Sequence, residues 1–403
     1  GDAALKQEND MRSRRFFEGL RGRFFARDGK MGTGAVKTRR IAARARDGCG
    51  SLGLTNEKYS LYFKQVVCYR SKQKEEQAMT PLEAFLNTAA RMPLMPAPTP
   101  LHRLQRHPSG VELWMKRDDM TGVGPGGNKI RSLEFLLGEA KAQGATKILA
   151  AGPAQSNLCV LTAAACAKAG LDCELLINGA EPERKEGNLL LEQLLGVKTH
   201  FLGSCDGETR NRKMEELAAE YRSAGENVYV VRNGATSGCG ALGYAAAVVE
   251  LMEQCRQRQL AQMTIFAPGG NGGVAAGLIY GNALMGSPFR IVIVSVEDDR
   301  ETLTEHIRAT IEEAAAITGL PMPEPPERAA EITDAYRGNG WGENTKESEQ
   351  AILTVARSEG IFLENVYNSK VYVGMMDWVE TGKVSGTVCY LHTGGFGSLF
   401  AQY

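Results

Sequence analysis

No stretch of this chain stays apolar for the roughly 18 residues that cross a bilayer, and its richest runs, such as 290–296, are only as long as a strand. That absence argues against insertion in a membrane. No Cys-x-x-Cys pair occurs among the nine cysteines, an odd number scattered along the chain. A disulfide or zinc framework is therefore not expected, and reduced thiols in a cytosolic protein are. Net charge is missing too, with 47 basic against 47 acidic residues, yet 1–78 hold 18 basic and 9 acidic residues while 79–403 hold 29 and 38. The first segment, with Arg12, Arg14, Arg15, Arg21 and Arg23, lacks apolar periodicity and should not form a core. It can be read as a transit peptide, as a basic arm for nucleic acid or anionic surfaces, or as a translated upstream region outside the working protein. The third reading is preferred, because the chain opens on Gly1 and Met79-Thr80-Pro81-Leu82 would make a natural start where globular patterning begins. A cytoplasmic protein with no nucleic-acid or membrane partner is the expectation.

What is present is a chain of 403 residues, 43% hydrophobic, enough for a sizeable core and two domains beyond the leader. From 111 onward, short β-branched runs alternate with helical stretches. Strands are expected at 111–116, 147–151, 173–178, 198–202, 227–232, 263–267, 290–297 and 387–392, with helices at 132–141, 156–169, 210–224, 240–256, 273–285, 302–318 and 346–359. This order implies right-handed βαβ units and open, mostly parallel sheets covered on both faces, with ligands beyond the carboxyl ends of the strands. No internal repeat is visible. The proline-rich 92–100 reads as an extended lead-in and 320–326 as a surface connection.

The most telling local feature is Gly126-Gly127-Asn128-Lys129-Ile130-Arg131, which sets one lysine in a glycine-rich turn between a strand and a helix. Such an amine attacks carbonyls once burial or a neighbouring cation lowers its pKa, and Lys116, Arg117 and Arg131 are close in sequence. A nucleotide P-loop is rejected, since Asn128 stands where that motif needs its lysine. Gly269-Gly270-Asn271-Gly272-Gly273-Val274-Ala275 follows a strand and opens a helix, so its N–H groups converge as a phosphate cradle. The same loop also fits a dinucleotide fingerprint, with Glu297 about 20 residues on, although that motif normally lies in the first βαβ unit. Gln155-Ser156-Asn157 puts a hydroxyl, an amide and free backbone donors at another strand end, where Ser156 is equally an ordinary helix N-cap. His392 in His392-Thr393-Gly394-Gly395 reads first as a satisfied structural histidine.

These four segments, in this order, closely resemble the pyridoxal-phosphate enzymes of the D-cysteine desulfhydrase and 1-aminocyclopropane-1-carboxylate deaminase family. The likeness runs from about Met79 to Tyr403 and includes Ala97-Pro98-Thr99-Pro100-Leu101, Lys116-Arg117-Asp118-Asp119, Gly240-Ala241-Leu242-Gly243-Tyr244 and Glu359-Gly360-Ile361-Phe362-Leu363. The resemblance implies the tryptophan-synthase-β-like fold (fold type II), two open, mostly parallel α/β domains with the cofactor between them. The larger would comprise 79–141 and 238–403, the smaller 142–237. It implies that Lys129 forms the internal Schiff base with pyridoxal 5'-phosphate and moves the α-proton. Asn128 and Asn157 would contact the cofactor, with Asn157 on its 3-hydroxyl side. Gly270, Asn271, Gly272, Gly273 and Val274 would hold its phosphate, and Thr393 would lie near its ring. Ser156 and Gln155 would meet the substrate, Ser156 at the carboxylate. Elimination of a β-substituent would leave aminoacrylate, which hydrolyses to pyruvate and ammonia. The family commonly forms homodimers, and one is expected here.

Three positions depart from the family pattern. Ser132 stands where a second cation would help hold phosphate, and Val274 replaces a threonine, leaving the cradle to backbone donors. Trp341 in Gly340-Trp341-Gly342 replaces an active-site tyrosine, and an indole cannot take a phenol's proton role. That exchange argues against opening a cyclopropane ring and is less damaging to β-elimination, with Tyr336 of the same loop able to approach and Trp341 lining the substrate pocket. Leu158 in place of a polar residue suggests a less polar pocket. The expected reaction is desulfhydrase-type β-elimination from D-cysteine or a related small amino acid. A non-catalytic member that binds cofactor or amino acid, and a nicotinamide-dependent oxidoreductase, are the alternatives.

Overall fold

Two parallel-rich sheets frame the molecule in a computed structural model that describes residues 79–107 and 111–402. The leader and every expectation attached to it lie outside the described residues. In chain order the elements are α1 (Pro81–Thr88), β1 (Leu101–Arg103), β2 (Glu112–Arg117), α2 (Lys129–Ala142), β3 (Lys147–Pro153), α3 (Asn157–Ala169), β4 (Asp172–Asn178), α4 (Gly187–Leu194), β5 (Lys198–Phe201), α5 (Gly207–Ser223), β6 (Val228–Val231), α6 (Gly238–Arg258), β7 (Met263–Gly269), α7 (Gly273–Leu284), β8 (Phe289–Ser295), α8 (Arg300–Thr318), α9 (Pro326–Ala329), β9 (Glu331–Thr333), α10 (Lys346–Glu359), α11 (Asn368–Glu380), β10 (Thr387–His392) and α12 (Phe396–Leu399).

The larger sheet runs β1-β2-β10-β7-β8-β9 and the smaller β5-β4-β3-β6. All pairs are parallel except the edge pair β1 and β2. Central strands such as β3 and β7 are buried nearly end to end, as a parallel sheet covered on both faces requires. One face of the large sheet packs Ile265 and Ile293 against Val248 of α6 and Ile279 of α7, while the other packs Val292 and Val388 against Met375 and Trp378 of α11. The small sheet does the same with α3 on one side and Met214 of α5 on the other. Each such buried aliphatic side chain stabilises the fold by about 1.5–3 kcal/mol. No helix among the described residues is long and apolar enough to cross a membrane.

The strand–helix alternation follows the sequence reading, and the differences have local causes. β1 and β9 are three-residue edge strands, too short to show alternation, and each follows a segment read as an extended or surface connection. α11 went unread because its sequence, with Val371, Tyr372 and Val373 in a row and Gly374 behind them, has strand-like propensity and no capping side chain. α2 begins at Lys129 itself rather than at Ser132.

Candidate active site

A cavity of about 460 Å³ opens where strand ends of both sheets meet. β7 ends at Gly269 and β10 at His392 in one sheet, while β3 ends at Pro153 and β4 at Asn178 in the other. The wall therefore receives Asn128, Lys129, Gln155, Ser156, Asn157, Gly270, Asn271, Gly272, Gly273, Val274, Trp341 and Thr393, every candidate named from the sequence except Tyr336.

Lys129 is placed by its neighbours on both sides. Gly126, at φ +78°, sits where a Cβ would fall 1.8 Å from the Asp119 carbonyl oxygen, so only glycine fits the turn. Gly127 bridges to Gly394 beyond β10, and the Asn128 N–H donates to the Thr393 carbonyl at 2.9 Å. Two residues on, Arg131 is buried and clamps the first turn of α2. It donates to both Asp118 oxygens at 2.8 Å, to both Glu250 oxygens at 3.0 and 2.9 Å, and to Thr99 Oγ1 at 2.8 Å. Tyr244 donates to Asp118 at 2.7 Å, and Lys116 pairs with Glu250. Burial would raise the Asp118 carboxyl, but Arg131 and Lys116 outweigh it and hold it at about 2. Gly243 lets α6 lie against this turn, since a Cβ there would come 2.4 Å from the Arg131 backbone.

The Lys129 amine donates to the Gly234 carbonyl at 2.7 Å. Burial lowers its pKa to about 8, with Glu297 on the cavity wall pulling the other way. Of the two expected causes, burial is the one at work, and the neighbouring cations Lys116, Arg117 and Arg131 are not. Lys116 and Arg131 turn to Glu250 and Asp118, and Arg117 pairs with Asp119 at 2.6 Å. Desolvation alone frees the amine: at pH 7 roughly a tenth is neutral, against well under a thousandth for an ordinary lysine.

Facing Lys129, the loop from Gly270 to Val274 makes an anion cradle. Gly272, at φ +87°, turns the chain into α7, whose first helical bond runs from the Ala276 N–H to the Gly272 carbonyl. The N–H groups of Gly273, Val274 and Ala275 thus lack an acceptor within the helix and point out at the positive end of its dipole. A Cβ on Gly270 would meet the Tyr367 ring at 3.1 Å, and one on Gly273 would meet Thr236 Oγ1 at 3.0 Å. The hydroxyl missing at Val274 has a counterpart in Thr236, on the same wall. A phosphate fits here, and Lys129 lines the same cavity.

On the small-sheet side, Ser156 caps α3, accepting from the Cys159 N–H at 3.2 Å while keeping its own hydrogen to donate. It is both cap and site residue. Asn188 of α4 fixes this loop: its N–H donates to Gln155 Oε1 at 2.8 Å and its amide to Asn157 Oδ1 at 2.9 Å. The Gln155 side chain is thus engaged by α4. The Thr393 N–H donates to Asn368 Oδ1 at 2.9 Å, tying the end of β10 to α11. His392 is 2% exposed, bonded to the Phe362 carbonyl at 3.0 Å, and fills the structural role read for it.

Tyr336 is the correction. Its phenol donates to Asp377 at 2.5 Å, its ring packs on Gly374, and burial together with that carboxylate raises its pKa to about 12. The phenol on the wall is Tyr367, which accepts from Trp341 Nε1 at 2.9 Å and is kept protonated chiefly by burial. Sequence reasoning missed Tyr367, along with Thr236, Asn178 and Arg210, because each becomes a site residue only through a distant contact. A tyrosine four residues into the Glu364 segment, just ahead of α11, carried no motif signal by itself.

The chain matches the family described as "Pyridoxal-phosphate dependent enzyme" over residues 93–394. It is 33% identical over 325 residues to a D-cysteine desulfhydrase of Klebsiella pneumoniae, covering 78% of this chain and 96% of that protein. It is 34% identical over 321 residues to a Pyrococcus abyssi protein provisionally assigned as a 1-aminocyclopropane-1-carboxylate deaminase, covering 79% and 96%. A crystal structure of an ACC deaminase homologue superposes with a TM-score of 0.73 at 33% identity, covering 80% of this chain and 97% of that one. The crystal structure of a T.th. threonine deaminase shares the fold at a TM-score of 0.55 and 17% identity, covering 78% and 97%. The nicotinamide reading of the glycine loop is set aside by these matches and by the lysine that faces it. With a half-buried lysine on the same cavity wall as a phosphate cradle, and with this family match over most of its described length, the chain belongs to the pyridoxal-phosphate-dependent enzymes of fold type II.

Proposed function

We propose that this enzyme catalyses β-elimination from a small β-substituted amino acid, D-cysteine or a close relative, releasing pyruvate, ammonia and sulfide. The observation that carries the reading is the half-buried amine of Lys129 sharing one cavity with a phosphate cradle, the Ser156 hydroxyl and the Tyr367 phenol, with desolvation lowering the amine's pKa. Pyridoxal phosphate, when bound, supplies an electron sink for charge developing at the substrate α-carbon. The backbone donors of Gly273 and Val274 with the Thr236 hydroxyl would hold its phosphate. Ser156 donates its hydrogen to the substrate carboxylate, and Lys129 accepts the α-proton. Tyr367, held by the Trp341 indole N–H, has its own hydrogen free to protonate a departing sulfur.

Tyr367 also favours a second reading. The objection to cyclopropane ring opening was the phenol lost at Trp341, and Tyr367 supplies a phenol in the same cavity. Keto-acid analysis by chromatography with D-cysteine, L-cysteine and 1-aminocyclopropane-1-carboxylate separates the two. Pyruvate with sulfide from a cysteine supports elimination; 2-oxobutanoate from the cyclopropane substrate alone replaces it with ring opening. No keto acid from any substrate, with cofactor bound, would leave a binding protein.

A further inference from the structure

Arg210 stands in the first turn of α5 and lines the cavity beside Asn178 and Gly207, with 7% of its surface exposed. Nη1 donates to Asn178 Oδ1 at 3.1 Å, and Nε has no hydrogen-bond partner. Among the described residues it forms no ion pair. A guanidinium cannot lose its proton to escape burial, so a cation left here without an anion is a standing cost to the fold unless something entering the cavity offsets it. The position is close to the substrate-side loop. Its charge is felt at Cys159, where burial and Glu192 push the thiol up to about 12 while Ser156 and Arg210 oppose the rise. The Cys159 N–H in turn donates to Ser156 Oγ.

We propose that Arg210, oriented by Asn178, binds an anionic oxygen group on the β-substituent of the substrate, so that the enzyme prefers amino acids carrying a second negative charge on the leaving group. This rests on the elimination reading, in which Ser156 takes the α-carboxylate and leaves Arg210 for a different anion. The leaving group is a thiol, alcohol or phosphate bearing that charge. For S-carboxymethylcysteine, the α-proton is removed and the Cβ–S bond breaks with its electron pair on sulfur. The sulfur takes up a proton, and water hydrolyses the remaining enamine. One water is consumed, and mercaptoacetate, pyruvate and ammonia are formed.

The test compares S-carboxymethylcysteine with S-(carbamoylmethyl)cysteine on the holoenzyme, both enantiomers of each, since the pair differs in charge and hardly in shape. The expected result is about a tenfold higher kcat/KM for the carboxylate, chiefly in KM. Arg210→Gln should bring the ratio near one, and Arg210→Lys should restore part of it. Calorimetric binding of aspartate against asparagine, neither with a leaving group, reads the subsite without turnover: about tenfold in favour of aspartate in the wild type, abolished in Arg210→Gln. No preference for charge in the wild type, or a preference that survives Arg210→Gln, overturns the proposal. A charge preference in binding with no elimination from either cysteine derivative would uphold the subsite and sink the elimination reading. If Arg210→Gln does not fold, Asn178→Ala is measured in its place and should reduce the preference. An unchanged preference in that variant overturns the assignment.

Discussion

The two walls of the cavity are stabilised in different ways. Behind Lys129, on the large-sheet side, Arg131, Lys116, Asp118 and Glu250 form a buried network in which charges meet partners within the protein. Across the cavity, the small sheet offers Gln155, Asn157 and Asn178, neutral amides bonded mainly to Asn188 behind them and to backbone, and the guanidinium of Arg210, which forms no ion pair among the described residues. One wall fixes the first turn of the helix that carries Lys129, whose amine donates to the Gly234 carbonyl beyond β6. The other keeps hydrogen-bonding capacity for whatever enters. The wall behind Lys129 is thus rigid by its internal charge pairing, while the opposite wall leaves a cation unpaired among the described residues.

The most severe way to break the rigid wall is to remove its product. Lys129→Ala should lower kcat roughly 10⁴-fold, measured by keto-acid release, with little change in melting temperature. Next, Asp118→Asn leaves Arg131 with an incomplete set of acceptors and should cost about 3–5 kcal/mol, read from urea unfolding. A loss under 1 kcal/mol would mean that the network does not hold the wall. Tyr367→Phe should reduce kcat about 100-fold with stability nearly unchanged, whereas Tyr336→Phe should cost about 1 kcal/mol of stability for the bond to Asp377 and less than about twofold in kcat. If the two tyrosines exchange these effects, the assignment of the phenol is wrong. The mildest probe is pH. The neutral fraction of Lys129 grows as pH rises, so covalent capture of pyridoxal phosphate by cofactor-free protein should speed up through about pH 8 and level off above it. A rise continuing to pH 10 would show a lysine that burial has not perturbed.

The rigid wall was the more legible in the sequence. Lys129 and the loop from Gly270 to Val274 sit on consecutive residues where a strand hands over to a helix, and glycine spacing reports backbone geometry directly. Arg131 and Lys116 are close to Lys129 in sequence, yet the structure turns them to Asp118 and Glu250. Proximity in sequence does not say which way a side chain turns. Tyr336 and Tyr367 show the same limit. Each lies in a segment without regular structure, one turned to Asp377 and the other to Trp341, and no periodicity distinguishes them.

By itself the sequence determined the alternation of strands and helices, the parallel sheets and the glycine turns, because these depend on local propensity, hydrophobic spacing and the conformations open to glycine. Tertiary structure alone decided which phenol enters the cavity, why the Lys129 amine is depressed, and that Arg210 lines the cavity without a carboxylate partner among the described residues. Those outcomes depend on desolvation and on contacts between residues far apart in the chain, and neither has a signature in the order of residues.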